Sequence, residues 1–503
     1  MNRSAAIRII CFLTMISMVA IVGAETDKKE EPEVTRKPLV IKTSIEGGRI
    51  IRGEDELYIE ENANGQWIQR TSAMVLQEVM IGDHLKLKIG VGGQFWYSFP
   101  ELDGMPQTLY TKFRAFIPTA TGIYTFGPEM APFSLQFGSF SVKYNKEAKN
   151  LGEYLLRSNC YPGIVQTGGW DMIGGDFFSD RHNEALIGPR YFAQGVQLTS
   201  HLLDSTLQQS VLLHMERDFP PMYDLSLSYI GAYQPIPFVD VGLGATLNHI
   251  LPADGEKTTP ENKSSRYKDD MWVDENYPVA PLGVTGEDSA RYVDSMSQGI
   301  ENYTFKGIKT MARITLDPKY FITWDGFGEE DLKVYAEASV LGIKDYPLFY
   351  DKILQRIPLM FGINLPTLKV LDVLAFEAEY YPLRYEESYY QVYQEQLPVW
   401  DMRGGHPDSL NSESYYSKLG TDPQYKTFAE QYESDDWKWS VYASKHFGNH
   451  FSLFGQIAND HIRPYTTDAR PEFIPVTRGI KKLTPNYIFK GPWYFAMRLE
   501  IKV

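Results

Sequence analysis

The sequence predicts an all-β protein, an antiparallel transmembrane β-barrel of about 16 strands (roughly 14 to 18) with long outer loops. Three observations predict this class. Short segments with alternating apolar and polar residues recur from about residue 69 to the end of the 503-residue chain. Short turns containing Gly, Pro or Asn separate some of them, and long polar stretches separate others. No apolar run past the N-terminus is long enough to span a bilayer as a helix, whereas a barrel strand needs only alternate apolar residues.

The N-terminus predicts export followed by a short tail. Arg3 and Arg8 precede an apolar core, and Val22-Gly23-Ala24 forms a small-residue cleavage site, so residues 1–24 are interpreted as a signal peptide. Residues 25–45 are polar and charged and predict a flexible periplasmic tail. The barrel is then expected over residues 46–503.

Alternation of apolar and polar residues places the strands. In one candidate, Leu85, Leu87 and Ile89 alternate with Lys86, Lys88 and Gly90. Several candidates have the length that a tilted strand needs to cross a membrane. The sixteen candidates lie near residues 69–80, 84–96, 111–117, 133–143, 163–173, 190–202, 206–217, 223–232, 238–250, 303–317, 332–343, 356–364, 370–382, 437–446, 450–459 and 491–503.

The lengths of the connections predict which end of the barrel faces outwards. Residues 251–302, 384–436 and 460–489 are long and polar, as expected for outer loops. With both ends in the periplasm, all three connections fall outside. The same count puts the turn near Gly82 outside and residues 144–162 inside. Within the latter, a mild helical pattern over residues 146–157 fits a short helix at the inner mouth, a folded-in loop or a plain connecting turn.

The last eleven residues alternate strictly. The residues from Trp493 to Val503 in steps of two are apolar, and Arg498, Glu500 and Lys502 lie between them. One apolar and one charged face suit a wall between lipid and water. This segment resembles the C-terminal strand of Gram-negative outer-membrane β-barrels, which closes the barrel and carries the insertion signal. The resemblance implies outer-membrane lipid and the barrel-assembly machinery as partners.

Composition excludes several other classes. The formal net charge is −15, so no nucleic-acid partner is expected. Of the two cysteines, Cys11 leaves with the signal peptide, so Cys160 has no intramolecular disulfide partner. The aromatic content is 14%, with 33 Tyr, which suits the aromatic girdles of a barrel but also a secreted sugar-binding protein. The chain lacks a G-x-S-x-G elbow, an H-E-x-x-H motif and a Walker loop, so no enzyme is predicted.

Charged residues on the polar face of the strands are the pore-lining candidates. Opposite charges across a water-filled channel screen solutes by charge and size. A tight polar plug without conduction is the alternative. The candidates are Lys86, Lys88, Arg313, Lys333, Glu337, Glu377, Glu379, Lys438, Arg498 and Glu500.

Two loop regions are candidates for binding. Trp170, Asp171, Asp176 and Asp180 lie among glycines, and grouped carboxylates of this kind suit Ca²⁺ or a solvated outer loop. A second group, Tyr389, Tyr390 and Trp400, suits either stacking against polysaccharide or packing within the loop itself. No other cofactor is expected.

These observations predict a porin-like channel for passive diffusion of small hydrophilic solutes in the cell outer membrane. The chain resembles porin-like barrels in general and no specific family of them. The first alternative is a non-conducting surface barrel that acts as an adhesin or structural protein through its aromatic, acidic loops. An outer-membrane hydrolase and a soluble secreted β-sandwich enzyme are two further alternatives. The hydrolase needs a nucleophile beside a base, and the sandwich would stay in solution without detergent.

Overall fold

A single antiparallel sheet closes on itself to form a sixteen-stranded barrel. The computed structural model describes residues 33–52, 67–98, 113–128, 132–157, 191–215, 224–251, 307–322, 324–343, 353–381, 437–459 and 493–503. Each barrel strand pairs with its neighbour in the sequence, and the last strand pairs with the first one over the register Lys42↔Lys502 to Arg52↔Trp493. The predicted fold class is therefore confirmed.

The barrel strands are β2 to β17, and the short strand β1 precedes them. Strand β1 pairs only with the end of β3 among the described residues, with Val34 opposite Ile81. In chain order the strands are β1 Val34–Arg36, β2 Val40–Arg52, β3 Trp67–Ile81, β4 Leu85–Ser98, β5 Phe113–Phe126, β6 Phe133–Val142, β7 Tyr191–Leu202, β8 Leu207–Met215, β9 Leu225–Ile236, β10 Val239–Leu251, β11 Gly307–Leu316, β12 Val334–Val340, β13 Leu359–Asn364, β14 Val373–Tyr380, β15 Trp437–Phe447, β16 Phe451–Ala458 and β17 Trp493–Lys502.

The described residues also include short helices. The α-helix α1 spans Tyr154–Arg157, and 3-10 helices span Pro318–Phe321 and Ile353–Arg356. In the described part of the chain, no helix has the length and apolar character needed to cross a membrane.

The number sixteen was predicted, but its membership differs from the prediction. Strand β2 begins at Val40, so the predicted boundary between tail and barrel at residue 45/46 is too late. The candidate strand at 163–173 lies outside the described residues, as do the signal peptide and residues 25–32. Strand β2 was missed because Gly47 and Gly48 interrupt its apolar alternation at mid-strand.

The barrel has two distinct ends. We call the end that carries Val40 and Val503 the terminal end, since their neighbourhood is joined by the hydrogen bond from Ile41 N–H to the Val503 carbonyl. The opposite end is the far end. The turn at Gly82 lies at the terminal end, and the connection that follows β6 lies at the far end, so the predicted sides of Gly82 and residues 144–162 were wrong. Because β2 precedes the first predicted strand, the strands before Gly82 and before residue 144 each run in the direction opposite to the predicted one.

The far end also carries the ends of the three long connections predicted to be loops. These follow β10, β14 and β16, whose chain direction leads away from the terminal end. By contrast, tight turns such as residues 203–206 and 448–450 join strands at the terminal end. The three connections predicted to be outer loops thus share one end, as in the predicted architecture, whereas the terminal end carries shorter connections, of which residues 317–333 form the longest.

Side chains alternate between a buried inner face and an exposed outer face. In β17, Tyr494, Ala496 and Arg498 are buried, whereas Met497 is 52% exposed and Leu499 38% exposed. The outer face is apolar all around the barrel, with exposed Ile45 on β2, Leu243 on β10 and other large apolar side chains. The inner face holds the charged residues. This is the reverse of a water-soluble protein, in which apolar side chains fill the interior.

Two bands of aromatic side chains lie on the outer face, one near each end. On β15 the bands are marked by Trp437 and Phe447. At a rise of about 3.3 Å per residue and a tilt of about 40°, these two residues are roughly 25 Å apart along the barrel axis. The far-end band contains Trp67, Tyr380, Trp437, Trp439, Trp493 and Phe495. The terminal-end band contains Tyr124, Phe126, Phe133, Phe238, Tyr320, Phe321, Phe447 and Phe451.

Candidate functional site

The barrel interior is the candidate functional site. The alternation of each strand places nine of the ten predicted pore-lining residues on the inner face, and Lys333 lies just before β12 at the terminal end. Eight of the ten are at most 9% exposed: Lys88, Arg313, Glu337, Glu377, Glu379, Lys438, Arg498 and Glu500. Their role in conduction stays a prediction.

Residues 143–157 fold into the barrel, and we call them the inserted segment. They follow β6 and reach β12 and β14, of which β14 lies halfway around the ring from β6. Leu151, Tyr154 and Leu155 are completely buried. Of the alternatives open for residues 146–157, the structure therefore shows a folded-in loop that ends in the single helical turn α1.

Glu377 on β14 binds the tip of the inserted segment. Its carboxylate accepts hydrogen bonds from the consecutive N–H groups of Lys149, Asn150 and Leu151 at 2.5, 2.8 and 2.8 Å. Consecutive backbone N–H groups that point into one concavity form an anion-binding nest. The chain turns directly afterwards, where Gly152 has φ +80°. The predicted pore-lining charge of Glu377 is thus occupied by backbone donors.

Glu337 on β12 is the second anchor. It accepts hydrogen bonds from the Tyr144 hydroxyl at 2.5 Å, from Asn145 Nδ2 at 2.8 Å and from the Tyr154 N–H at 2.9 Å. The Tyr154 hydroxyl donates to Glu379 at 2.9 Å. Burial and the nearby carboxylates raise the pKa of both tyrosines well above the usual value. Both hydroxyls therefore remain protonated donors at neutral pH.

A glycine makes room for one further contact with Glu377. Tyr335 on β12 donates its hydroxyl hydrogen to Glu377 at 2.8 Å, and β13 lies between their two strands. Gly362 on β13 lies directly opposite Tyr335, and a Cβ there would approach the Tyr335 ring to 2.1 Å. The tyrosine ring can cross β13 only because position 362 has no side chain.

Apolar packing fixes the inserted segment on both sides. At its end, Leu155 and Leu156 pack in a buried cluster with Phe140, Ala193, Leu212, Ile230 and Met311 of the wall. On the other side, Ala148, Leu151 and Tyr154 pack with Tyr335, Leu341, Met360 and Tyr381. Burial of large apolar side chains contributes about 1.5–3 kcal/mol each. The segment is therefore an integral part of the barrel interior.

Ion pairs connect the inserted segment to the terminal end. Lys333 lies 3.2 Å from Glu147 and 2.7 Å from Glu330, and Lys149 lies 3.5 Å from Glu330. Burial alone would raise the pKa of Glu330, but the ammonium groups of Lys149 and Lys333 outweigh it and lower this pKa to about 2. The predicted pore residue Lys333 is thus part of a four-residue charge network.

The part of the wall that continues from β14 carries its own buried charges. Strands β15, β16, β17, β2, β3 and β4 form this arc, which we call the basic wall. Arg70 donates from Nε and Nη2 to Glu46 Oε2 at 2.8 and 2.6 Å. Lys42 lies 2.8 Å from Glu500, and the Arg498 guanidinium lies 5.0 Å from the centre of the Phe454 ring. The contacts of the inserted segment described above lie on β6 to β14.

Sequence reasoning missed several residues of this interior. Lys42 and Glu46 were assigned to the tail or its boundary, and Arg70 was not singled out. Tyr144, Tyr154 and Tyr335 were missed because local patterns do not reveal which tyrosines meet a carboxylate across a barrel. Alternation would have found Arg70, which falls two residues before Ser72 on the buried face.

Both predicted loop sites fall outside the described ranges. Trp170, Asp171, Asp176, Asp180, Tyr389, Tyr390 and Trp400 all lie outside the described residues. The calcium and polysaccharide predictions attached to them stay predictions. Within the described ranges, no group of three or more His, Cys, Asp or Glu side chains is arranged to hold a metal ion.

Fold and interior together define a class: a closed sixteen-stranded antiparallel β-barrel with an apolar outer face, a charged inner face and a segment folded inside. No family model and no curated protein matches the chain. Solved structures with similarity include Salmonella typhi OmpF in complex with daunomycin, at 7% identity and TM-score 0.38 over 94% of this chain and 98% of that one. A mutant of the Rh. blastica porin has 7% identity and TM-score 0.38 over 94% of this chain and 100% of its own. The class assignment itself rests on the strand pairing.

Proposed function

We propose that this protein is an outer-membrane channel for passive diffusion of small hydrophilic solutes. One observation carries the proposal: the barrel exposes apolar side chains outside and holds its charges inside. Lipid is the solvent that suits such an outer face, and a closed barrel leaves no unpaired strand edge within it.

The aromatic bands support the membrane location. Tyr and Trp side chains are amphipathic and favour the two membrane–water interfaces. Their separation of roughly 25 Å matches the apolar band of outer-membrane barrels. The predicted signal peptide supplies export, and strand β17, which closes the ring against β2, is the element that the barrel-assembly machinery would recognise. Outer-membrane lipid is then the first partner.

The width of the barrel supports conduction. A ring of sixteen strands encloses more space than wall side chains fill. The contacts of the inserted segment described above lie on strands β6 to β14. Charged groups that line the remaining arc are suited to screening solutes by charge and size. Passive diffusion requires no catalytic group, so the proposal includes no enzymatic step.

Planar-bilayer recording tests the channel. Detergent-purified protein that keeps its heat-modifiable mobility in SDS is added to one side, and discrete, stable current steps are expected. A matched sample that has been boiled in SDS serves as the control and should give no steps. Folded protein that never conducts would overturn the channel proposal.

A non-conducting surface barrel is the second candidate, and one observation favours it. The inserted segment packs against both sides of the interior through buried apolar clusters, as expected of a plug. This candidate predicts absence of current from folded protein together with binding of polysaccharide or a partner by the outer loops. Deletion of residues 385–417 should then abolish that binding while the barrel still folds.

A further inference from the structure

The charge of the basic wall differs in sign from that of the whole chain. The chain has a formal net charge of −15, but the described inward-facing residues of the basic wall include more cations than anions. Seven are basic and three are acidic. The basic residues are Lys42, Arg70, Lys86, Lys88, Lys438, Arg498 and Lys502, and the acidic ones are Glu46, Glu78 and Glu500.

Lysines are concentrated around Glu78 near the terminal end. The carboxylate of Glu78 lies 3.1 Å from Lys37 Nζ, 3.8 Å from Lys86 Nζ and 3.5 Å from Lys88 Nζ. One carboxylate thus faces three ammonium groups. The Lys37 side chain is 54% exposed and that of Lys86 is 32% exposed, so this excess of positive charge is accessible to water.

A second concentration lies where β2 meets β17. Lys42 and Lys502 are directly opposite each other in the strand register, and both have inward parity. Like charges directly opposite on neighbouring strands destabilise a sheet. Glu500 offsets part of this repulsion, since it lies 2.8 Å from Lys42. An additional anion near Lys42 and Lys502 would offset the remaining repulsion.

The carboxylates of β12 and β14 adjoin the basic wall, and Glu379 lies directly opposite Lys438 of β15 in the strand register. Glu337 and Glu377 accept hydrogen bonds from the inserted segment, and Glu379 accepts one from Tyr154. Each carboxylate keeps its negative charge but is almost fully buried against the inserted segment. The more exposed groups of the basic wall, Lys86 and Lys502 at the terminal end, therefore dominate the field there.

From this distribution we infer that the channel selects small anionic solutes, such as inorganic phosphate and small carboxylates, along the basic wall. The inference rests on the proposed channel function and names its solute class. A net positive wall raises the local concentration of anions and excludes cations of similar size. Glu78 acts as the counter-charge that limits this preference.

Reversal potentials in a KCl gradient measure the preference directly. Wild-type channels should pass chloride over potassium, with a ratio that changes by about twofold per net charge near the ion path after screening by salt. The double variant Lys86→Glu, Lys88→Glu makes the wall neutral, with five basic and five acidic residues, and should bring the ratio close to one. Glu78→Gln removes a carboxylate and should raise the chloride preference.

A charge reversal away from the wall is the matched control. Lys369→Glu changes the exposed turn between β13 and β14 at the same end of the barrel and should leave the reversal potential unchanged. Heat-modifiable mobility in SDS shows that each variant folds. A second readout is block of the chloride current by inorganic phosphate. Phosphate should block the wild-type channel, and the block should be weaker in the Lys86→Glu, Lys88→Glu variant.

The outcomes separate the two proposals. A wild-type channel that prefers potassium, or a Glu78→Gln variant with reduced chloride preference, would overturn the anion inference while the channel function stands. Absence of any current from folded protein would overturn the channel function instead.

Discussion

Glu377 Oε2 accepts a hydrogen bond of 2.8 Å from the Leu151 N–H, although 226 residues separate them in the sequence. The contact joins the wall of the barrel to the tip of the inserted segment. Two neighbouring N–H groups share the same carboxylate. Glu377 is therefore an anchor for the segment, and a change of its charge alters structure before it alters ion selectivity.

Removal of this charge should loosen the inserted segment. In Glu377→Gln, one half of the carboxylate becomes an amide NH₂ group that cannot accept, and charge-assisted bonds of about 1.5–3 kcal/mol each are lost. Hydrogen exchange at Lys149, Asn150 and Leu151 should accelerate by roughly a hundredfold, since about 3 kcal/mol of protection is lost. Hydrogen-exchange mass spectrometry measures this rate.

Glu329→Gln is the control for that experiment, because Glu329 is an exposed carboxylate at the terminal end. Its exchange rates over residues 149–151 should equal those of wild type. Equal protection in Glu377→Gln and wild type would show that the apolar clusters alone hold the segment.

The Arg70–Glu46 pair should show strong coupling. Both side chains are at most 4% exposed, so loss of one partner leaves a buried charge whose main partner is missing. Glu46→Gln or Arg70→Met alone should cost about 3 kcal/mol of unfolding free energy, whereas the double variant should cost clearly less than the two together. Urea unfolding of the four proteins in lipid vesicles completes the cycle. Additive costs would mean that other contacts of these residues carry the energy.

Acid should weaken the link between Glu330 and the inserted segment. The pKa of Glu330 is lowered to about 2 in the folded protein, below the usual value of about 4.3 for an unfolded chain. Its stabilising contribution is thus fully present above about pH 4.5 and is lost as the pH falls towards 2.

Comparison with Glu330→Gln isolates this contribution from other titrating groups. The variant should melt at a lower temperature than wild type at pH 7, and the difference should shrink steadily between about pH 4.5 and pH 2. Thermal melting followed by circular dichroism in detergent measures both. A difference that stays constant with pH would contradict the assigned ion pairs.

Contact of the outer face with lipid can be tested on β17. Met497 lies mid-strand and faces outwards, whereas Val503 follows the last strand residue at the terminal end. Met497→Arg should cost about 2–4 kcal/mol of folding free energy in vesicles, and Val503→Arg about 0–1 kcal/mol. Near-zero costs for both variants would indicate water rather than lipid around the barrel.

Strand identity and the polarity of the faces were accessible from the sequence because they depend on local alternation. The final strand shows this clearly, since Arg498 and Glu500 are buried and Met497 and Leu499 are exposed as their parity indicates. By contrast, Gly47 and Gly48 removed the apolar signal from the middle of β2. With that strand missing, the tail was made too long and the first turns were assigned to the wrong side.

The interior contacts were not accessible, because they depend on which residues meet across the lumen. Lys149 and Glu377 are far apart in the sequence, and the donors are backbone groups that every residue type possesses. The alternation of β14 placed Glu377 inside, but no local pattern shows that its charge is already bound. The inward position of Glu377 was therefore predictable from the sequence, but the hydrogen bonds that occupy its carboxylate were not.

Strand length varies around the ring in a way that bears on the surrounding bilayer. Strands β3 and β4 have 15 and 14 residues, whereas β12 and β13 have 7 and 6. A bilayer of uniform thickness cannot match both sides of such a cylinder. Hydrophobic mismatch is relieved by tilting of the protein or by local thinning of lipid. We therefore expect an axis inclined to the membrane normal and a thinned annulus beside β12 and β13.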